Sequence, residues 1–172
     1  MIFAEVLFAG CPAFGRANRR RSHYLVVCAD AKRREVFKVT PALRGALRIP
    51  AERETLVELR GNGHYSMVPP SIHTSGERVE WQGEQLAFPR MPWSEARRRC
   101  GLIALLALAL RKYPSSPRPR QNARMALKNV LLSVGVEEDQ TDGLVTRLAE
   151  HAGDMEGQQE TTTVSELDFC RF

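Results

Sequence analysis

The sequence predicts an α+β protein. A mostly antiparallel sheet covers residues 1–91, and a small helical subdomain with a polar tail covers residues 92–172. Three observations carry this reading. Ahead of Pro92 the chain runs in short alternating or β-branched stretches separated by Gly, Pro and polar turns. Beyond it, Ala and Leu recur at helical spacing over segments of helix length. The 172 residues, 43% hydrophobic and 26% charged, suffice for one ordinary domain with a small appendage and a core that needs no disulfide or structural metal.

Each element has its own signal. His23–Ala29 (HYLVVCA) reads as a buried strand and Arg34–Val39 (REVFKV) as an alternating one. Ala42–Pro50 is a loop or short helix. Thr55–Arg60 (TLVELR) sets Leu56, Glu58 and Arg60 on one strand face against Val57 and Leu59 on the other. His64–Pro70 (HYSMVPP) is a strand that its prolines must end, and Glu77–Gln82 returns after the Thr74–Ser75–Gly76 turn as its hairpin partner. Pro92 permits a helix start with Ser94 as cap, running through Ala109 and stopping near Tyr113–Pro114. A basic linker, SSPRPR at 115–120, leads to a helix that Gly135 stops. Glu137–Gly153 forms a third helix with acidic residues in its first turn. The stretch TTTVSEL at 161–167 opens a short helix or adds a strand.

The net charge is +5, a balance that favours anionic partners, nucleic acid first. Cys11, Cys28, Cys100 and Cys170 are scattered, with no CxxC pair and no Cys/His cluster at zinc spacing, and read as reduced thiols of a cytoplasmic protein. The apolar start lacks the basic leader of a signal peptide. GLIALLALAL at 101–110 is bracketed by arginines and is too short to span a bilayer, so no membrane partner is expected.

Three stretches carry chemistry. Between Arg60 and Trp81, Gly61 and Gly63 permit close backbone approach, Pro69–Pro70 fixes the exit, and Ser71 and His73 follow in a stiff segment. That is either a rigid hairpin corner or a holder for a hydroxyl and an imidazole. Glu58 is a solvent-facing glutamate, or one paired with Arg60 across a neighbouring strand, or a ligand for Mg2+ or Mn2+. Arg16, Arg19, Arg20 and Arg21 precede Ser22 and His23. They form either a solvated basic loop or a phosphate-binding one.

Taken in order, GR…RSHYLVV and then VELRGNGHYSMVPPSIHTSGERVEW resemble the bifunctional DNA primase/polymerase (Prim-Pol) family of archaeo-eukaryotic-type primases, from Phe14 to Trp81. Residues 109–167 resemble the helical segment that often follows that domain, in which a Tyr-Pro…Arg stretch leads to an Ala/Leu-rich helix and a second helix ends in Ala-Gly-Asp, here Ala152–Asp154. The stretch SSPRPRQN stands where a Gly-Ser-Arg-His-like linker is usual.

The resemblance implies a partial primase–polymerase core and template-directed nucleotidyl transfer with Mg2+ or Mn2+, on a DNA template with nucleoside triphosphates, in replication of phage or plasmid type. It makes Glu58 the third acidic metal ligand and His23 a triphosphate contact, with Ser22 and Arg16 beside it and Ser71 and His73 lining the same cleft. It also exposes a departure. The family takes two further carboxylates from an Asp-x-Asp or Asp-x-Glu strand ahead of the histidine, whereas Glu5 is the sole acid before His23 here. The expectation is the C-terminal part of a catalytic domain, incomplete alone through an internal start, gene decay or a missing half. Its expected partners are a helicase domain or a chain supplying that motif. A non-catalytic nucleic-acid-binding module is the competing expectation. The replication reading demands that residues 23 and 58 face one cleft.

Overall fold

The computed structural model describes residues 2–83 and 87–154. It divides between Ala104 and Leu105 into two compact units. The fold is α+β with small antiparallel sheets, as the sequence predicts.

The first unit opens with α1 (Ile2–Leu7), whose Phe3 and Leu7, four residues apart on one face, are both buried. A hairpin follows, β1 (Ala13–Arg16) and β2 (Arg19–Tyr24), and β1 also pairs with β5 (Glu80–Gln82), giving the order β2-β1-β5. A second sheet holds β3 (Arg34–Lys38) and β4 (Thr55–Arg60). Between them lies α2 (Pro41–Leu47), started by Pro41 and by Thr40, whose Oγ1 accepts from the Leu43 amide. The first half of α3 (Trp93–Arg111) completes the unit and buries Trp93, Ala96, Cys100 and Ile103. Its start is capped from afar: the Trp93 amide donates to Asp30 Oδ1 at 2.8 Å. Ser94, the expected cap, lies inside the helix.

Several expected elements shift. The strand expected over 23–29 lies at 19–24, because the chain turns tightly at Ala17–Asn18 and pairs the arginine-rich stretch with β1. The supposed basic loop is therefore a hairpin arm. Residues 64–68 form no strand, and Tyr65 is 96% exposed. The turn at 74–76 is real, but its arms are Ser71–His73 and Glu77–Val79, and the strand beyond pairs with β1 instead. The compositional change at Pro92 and the unit boundary at 104/105 do not coincide, since the first half of α3 belongs to the first unit.

The second unit contains the end of α3, α4 (Pro117–Ser133) and α5 (Glu138–His151). Pro117 suits a helix start, so PRPR forms the first turn of α4 and is not a linker. Leu127 and Leu131 of α4 and Leu144, Val145 and Leu148 of α5 are buried. Gly135 adopts φ 76° just past α4, where the Val136 amide reaches back to the Leu131 carbonyl at 3.0 Å.

Asp154 clasps this unit. It is wholly buried and takes the Tyr113 hydroxyl at 2.5 Å and Arg124 Nη1 at 2.6 Å on Oδ2, with Arg120 Nη1 3.6 Å from Oδ1. Burial alone would raise its pKa, but the Tyr113 hydroxyl and the arginines hold it below the usual carboxylate value. Tyr113 is pushed up to about 12, first by burial and then by its bond to Asp154. The tyrosine, the arginines and the Ala-Gly-Asp ending noted in sequence thus meet at one point. The stretch 161–167 and Cys170 lie outside the described residues. Among the described residues no helix is long and apolar enough to cross a membrane.

Candidate functional site

In the first unit a cleft of about 1090 Å³ is lined by Arg19–Val26, Leu56–Arg60, Arg16, Met67 and His73, over a floor that includes Val79, Cys100 and Ile103. Arg16, Ser22, His23, Glu58 and His73 all line this cleft. Ser71 is not among its lining residues. Its backbone closes the turn instead, donating to the Val68 carbonyl at 3.0 Å and accepting from the Val79 amide at 2.9 Å.

His23 is held by an aromatic ladder. It pairs with Phe14 across β2–β1, and Phe14 pairs with Trp81 across β1–β5. The imidazole stacks on the fully buried Phe14 ring at 4.7 Å and 7°, while Trp81 meets the same ring edge-on at 5.4 Å. Ser22 Oγ lies 3.0 Å from His23 Nδ1. Partial desolvation, then the charges of Arg60 and Arg16, lower the His23 pKa below 6.5, against a smaller opposing pull from Glu58.

Arg16 is aimed by the 73–77 turn. Its Nη1 donates to His73 Nδ1 at 2.9 Å and lies 3.3 Å from Ser75 Oγ and 3.4 Å from Glu77 Oε2. Glu77 also accepts from Ser75 Oγ at 2.9 Å and from the Asn18 amide at 3.3 Å, so it ties the turn to the β1–β2 hairpin. Two glycines make the approach possible. A Cβ on Gly15 would sit 2.1 Å from the Arg19 carbonyl oxygen, inside the bulge of that hairpin. A Cβ on Gly61 would sit 1.9 Å from the Lys32 carbonyl oxygen, where the chain leaving β4 docks on residues 31–33.

Glu58 is engaged on both oxygens. Oε1 accepts from Arg34 Nε at 2.6 Å and Oε2 from Arg60 Nη2 at 2.9 Å. The register explains this: Arg34 and Arg60 stand directly opposite across β3–β4, and the carboxylate relieves their repulsion. Arg60 foremost holds Glu58 below the usual carboxylate range. Glu58 does pair with Arg60, but along β4 itself; the partner from the neighbouring strand is Arg34. Sequence reading missed Phe14 as the plate behind His23 and Arg60 as a cleft cation. The alternation of Phe14 and Arg16 around Gly15 is the signal that would have placed both on a strand.

The donor set does not fit a two-cation centre. Glu5 is the other carboxylate among the residues lining the cleft, with Oε1 4.0 Å from Arg21 Nε. Among the described residues no three His, Cys, Asp or Glu side chains are grouped to hold a metal. One carboxylate between two guanidiniums cannot balance two dications. What the cleft offers is cationic hydrogen-bond donors, a hydroxyl and a stacked imidazole, the chemistry of phosphate binding.

A family model described as bifunctional DNA primase/polymerase, N-terminal, matches residues 10–95. No curated protein and no solved structure matches the chain.

Proposed function

The chain belongs to the bifunctional DNA primase/polymerase family, whose function is replicative, and from that premise we propose that its cleft binds the triphosphate of a nucleotide but does not by itself join nucleotides. The convergence of Arg16, Ser22, His23 and His73 on one cleft supports the binding half. Glu58, already paired twice and with Glu5 as the other carboxylate lining the cleft, supports the second half. Mg2+ or Mn2+ enters this reading only when further carboxylates join Glu58. A DNA template would run along the exposed arginines of β2.

The experiment is nucleotide binding by the 172-residue chain, followed with a fluorescent deoxynucleoside triphosphate. Saturable binding is expected, insensitive to Mg2+ or Mn2+ and weakened about tenfold by Arg16→Ala or His23→Ala, the loss of one charge-assisted contact. No primer synthesis or extension is expected. Absence of nucleotide binding overturns the cleft assignment. Incorporation of labelled nucleotides, abolished by Glu58→Ala, overturns the incompleteness.

One observation favours a second reading, a non-catalytic nucleic-acid-binding module: Arg19, Arg20 and Arg21 are consecutive and exposed on the outer strand β2. DNA retention that falls steeply with salt, with no nucleotide binding, selects it.

A further inference from the structure

A small hollow of about 180 Å³ lies at the end of β5, lined by Pro12, Ala13, Trp81, Gln82, Gly83 and Phe88. Among the described residues it shares no lining residue with the cleft. Two of its walls are aromatic rings that stay half-exposed, Trp81 at 46% and Phe88 at 50%. Trp81 is braced by the buried Phe14 ring. Ala13 and Gly83 carry too little side chain to fill the space, and Gln82 contributes an amide that both donates and accepts. The hollow is smaller than the roughly 300 Å³ at which ordinary ligand pockets begin. It suits one flat ring system and not a whole nucleotide.

A cation stands at its rim. A Cβ on Gly83 would meet Arg21 Nη2 at 4.0 Å. Arg21 belongs to β2, which lies across β1 from β5, so its side chain crosses β1 to reach Gly83. The backbone there is an outlier. Arg21 has φ 39°, a region that residues with a Cβ rarely adopt, in the stretch where the β1–β2 register shifts. Strain of this kind persists only where the surroundings impose it, and it gathers at ligand sites. The pairing of Arg21 with Glu5 is long, Nε to Oε1 at 4.0 Å, and open to water, which leaves the guanidinium with donors to offer an anion. Arg19 and Arg20, both exposed, continue the charge along β2.

We propose that this hollow takes one unpaired base of a single-stranded DNA, packed against the rings of Trp81 and Phe88, with Arg21 on the neighbouring phosphate. The run of cations from Arg21 through Arg19 suits a chain of phosphates better than a single nucleotide. Aromatic walls accept any base, since every base has a π-face. An apolar side chain of a protein would fill the hollow but bring Arg21 no anion. The inference rests on the template path along β2 proposed above and adds a base site to it.

The probe is a thymidine oligonucleotide of about ten nucleotides, added to the full chain and followed by tryptophan fluorescence. The chain has two tryptophans and Trp93 is buried, so quenching on stacking reports Trp81. Saturable quenching is expected. A strand of equal length built from abasic sugars keeps the phosphates and loses the bases. By anisotropy of the labelled strands it should bind about tenfold more weakly, the loss of one stacked base, and it should not quench. Phe88→Ala should weaken the thymidine strand by a similar factor and leave the abasic strand unchanged, whereas Arg21→Ala should weaken both. Equal affinity for the two strands, or thymidine binding without quenching, overturns the base site and leaves the β2 path standing. Binding of neither strand overturns both. Triphosphate titration of Phe88→Ala should match the wild type, so the cleft assignment stands or falls separately.

Discussion

Glu58 and Asp154 are the same device in two settings. Each is a carboxylate with two arginines, one carboxylate in each compact unit. The Glu58 side chain keeps 21% exposure, and Arg34 and Arg60 keep 48% and 43%. Asp154 has none, and Arg120 and Arg124 keep 16% and 12%. Water screens the first cluster and hardly reaches the second. The Glu58 cluster is therefore loosely held and open to solvent, whereas the Asp154 cluster is a buried fastening. Chemical likeness in sequence does not equal likeness in role; burial decides it.

The largest effect expected is on stability. Asp154→Asn should cost about 3 kcal/mol, because it removes the buried negative charge that Arg124 and Arg120 face, as read from urea unfolding. The pH dependence carries the same sign. The folded-state pKa of Asp154 is lowered, so its contribution is fully present above the unfolded value, about pH 4, and is lost as pH falls through the folded value. The wild-type chain should lose stability through that window and Asp154→Asn should lose less. Equal acid curves would break the contrast between the two clusters.

Glu58→Ala should cost under about 1 kcal/mol, since its partners stay hydrated. It should also tighten nucleotide binding several-fold, about 1 kcal/mol, by freeing two cations. Weaker nucleotide binding would instead assign Glu58 a direct hold on the ligand. The smallest effect concerns His23. Its pKa is lowered in the free cleft, and a bound polyanion raises it, so binding takes up a proton. Nucleotide affinity should rise as pH falls toward and below about 6.5, and the slope should be shallower in His23→Ala. Identical slopes would place the imidazole outside the phosphate contact.

Much of this was legible in the residues. Strands over Arg34–Lys38 and Thr55–Arg60 followed from alternation, and α3 and α5 from apolar spacing with terminal signals. His23 and Glu58, which the family resemblance puts in one cleft, both line the same one. Other features were not legible because their causes are non-local. β1 is four residues long and exists because two neighbours pair with it. Residues 64–68 carry strand-like residues, but β5, their expected partner, is taken by β1. The cap of α3 comes from Asp30, 63 positions away. Local signals cannot report partners so distant.

By itself the sequence determined the α+β class, the positive charge, the order of the histidine and glutamate motifs, and the shortage of carboxylates ahead of His23. Those are properties of composition and period, written residue by residue. Only the tertiary structure decided that Glu58 lies between Arg34 and Arg60, that Phe14 backs His23, and that residues of both sheets line one cleft. These depend on strand register and burial, which arise when distant segments compete for the same hydrogen bonds and the same space.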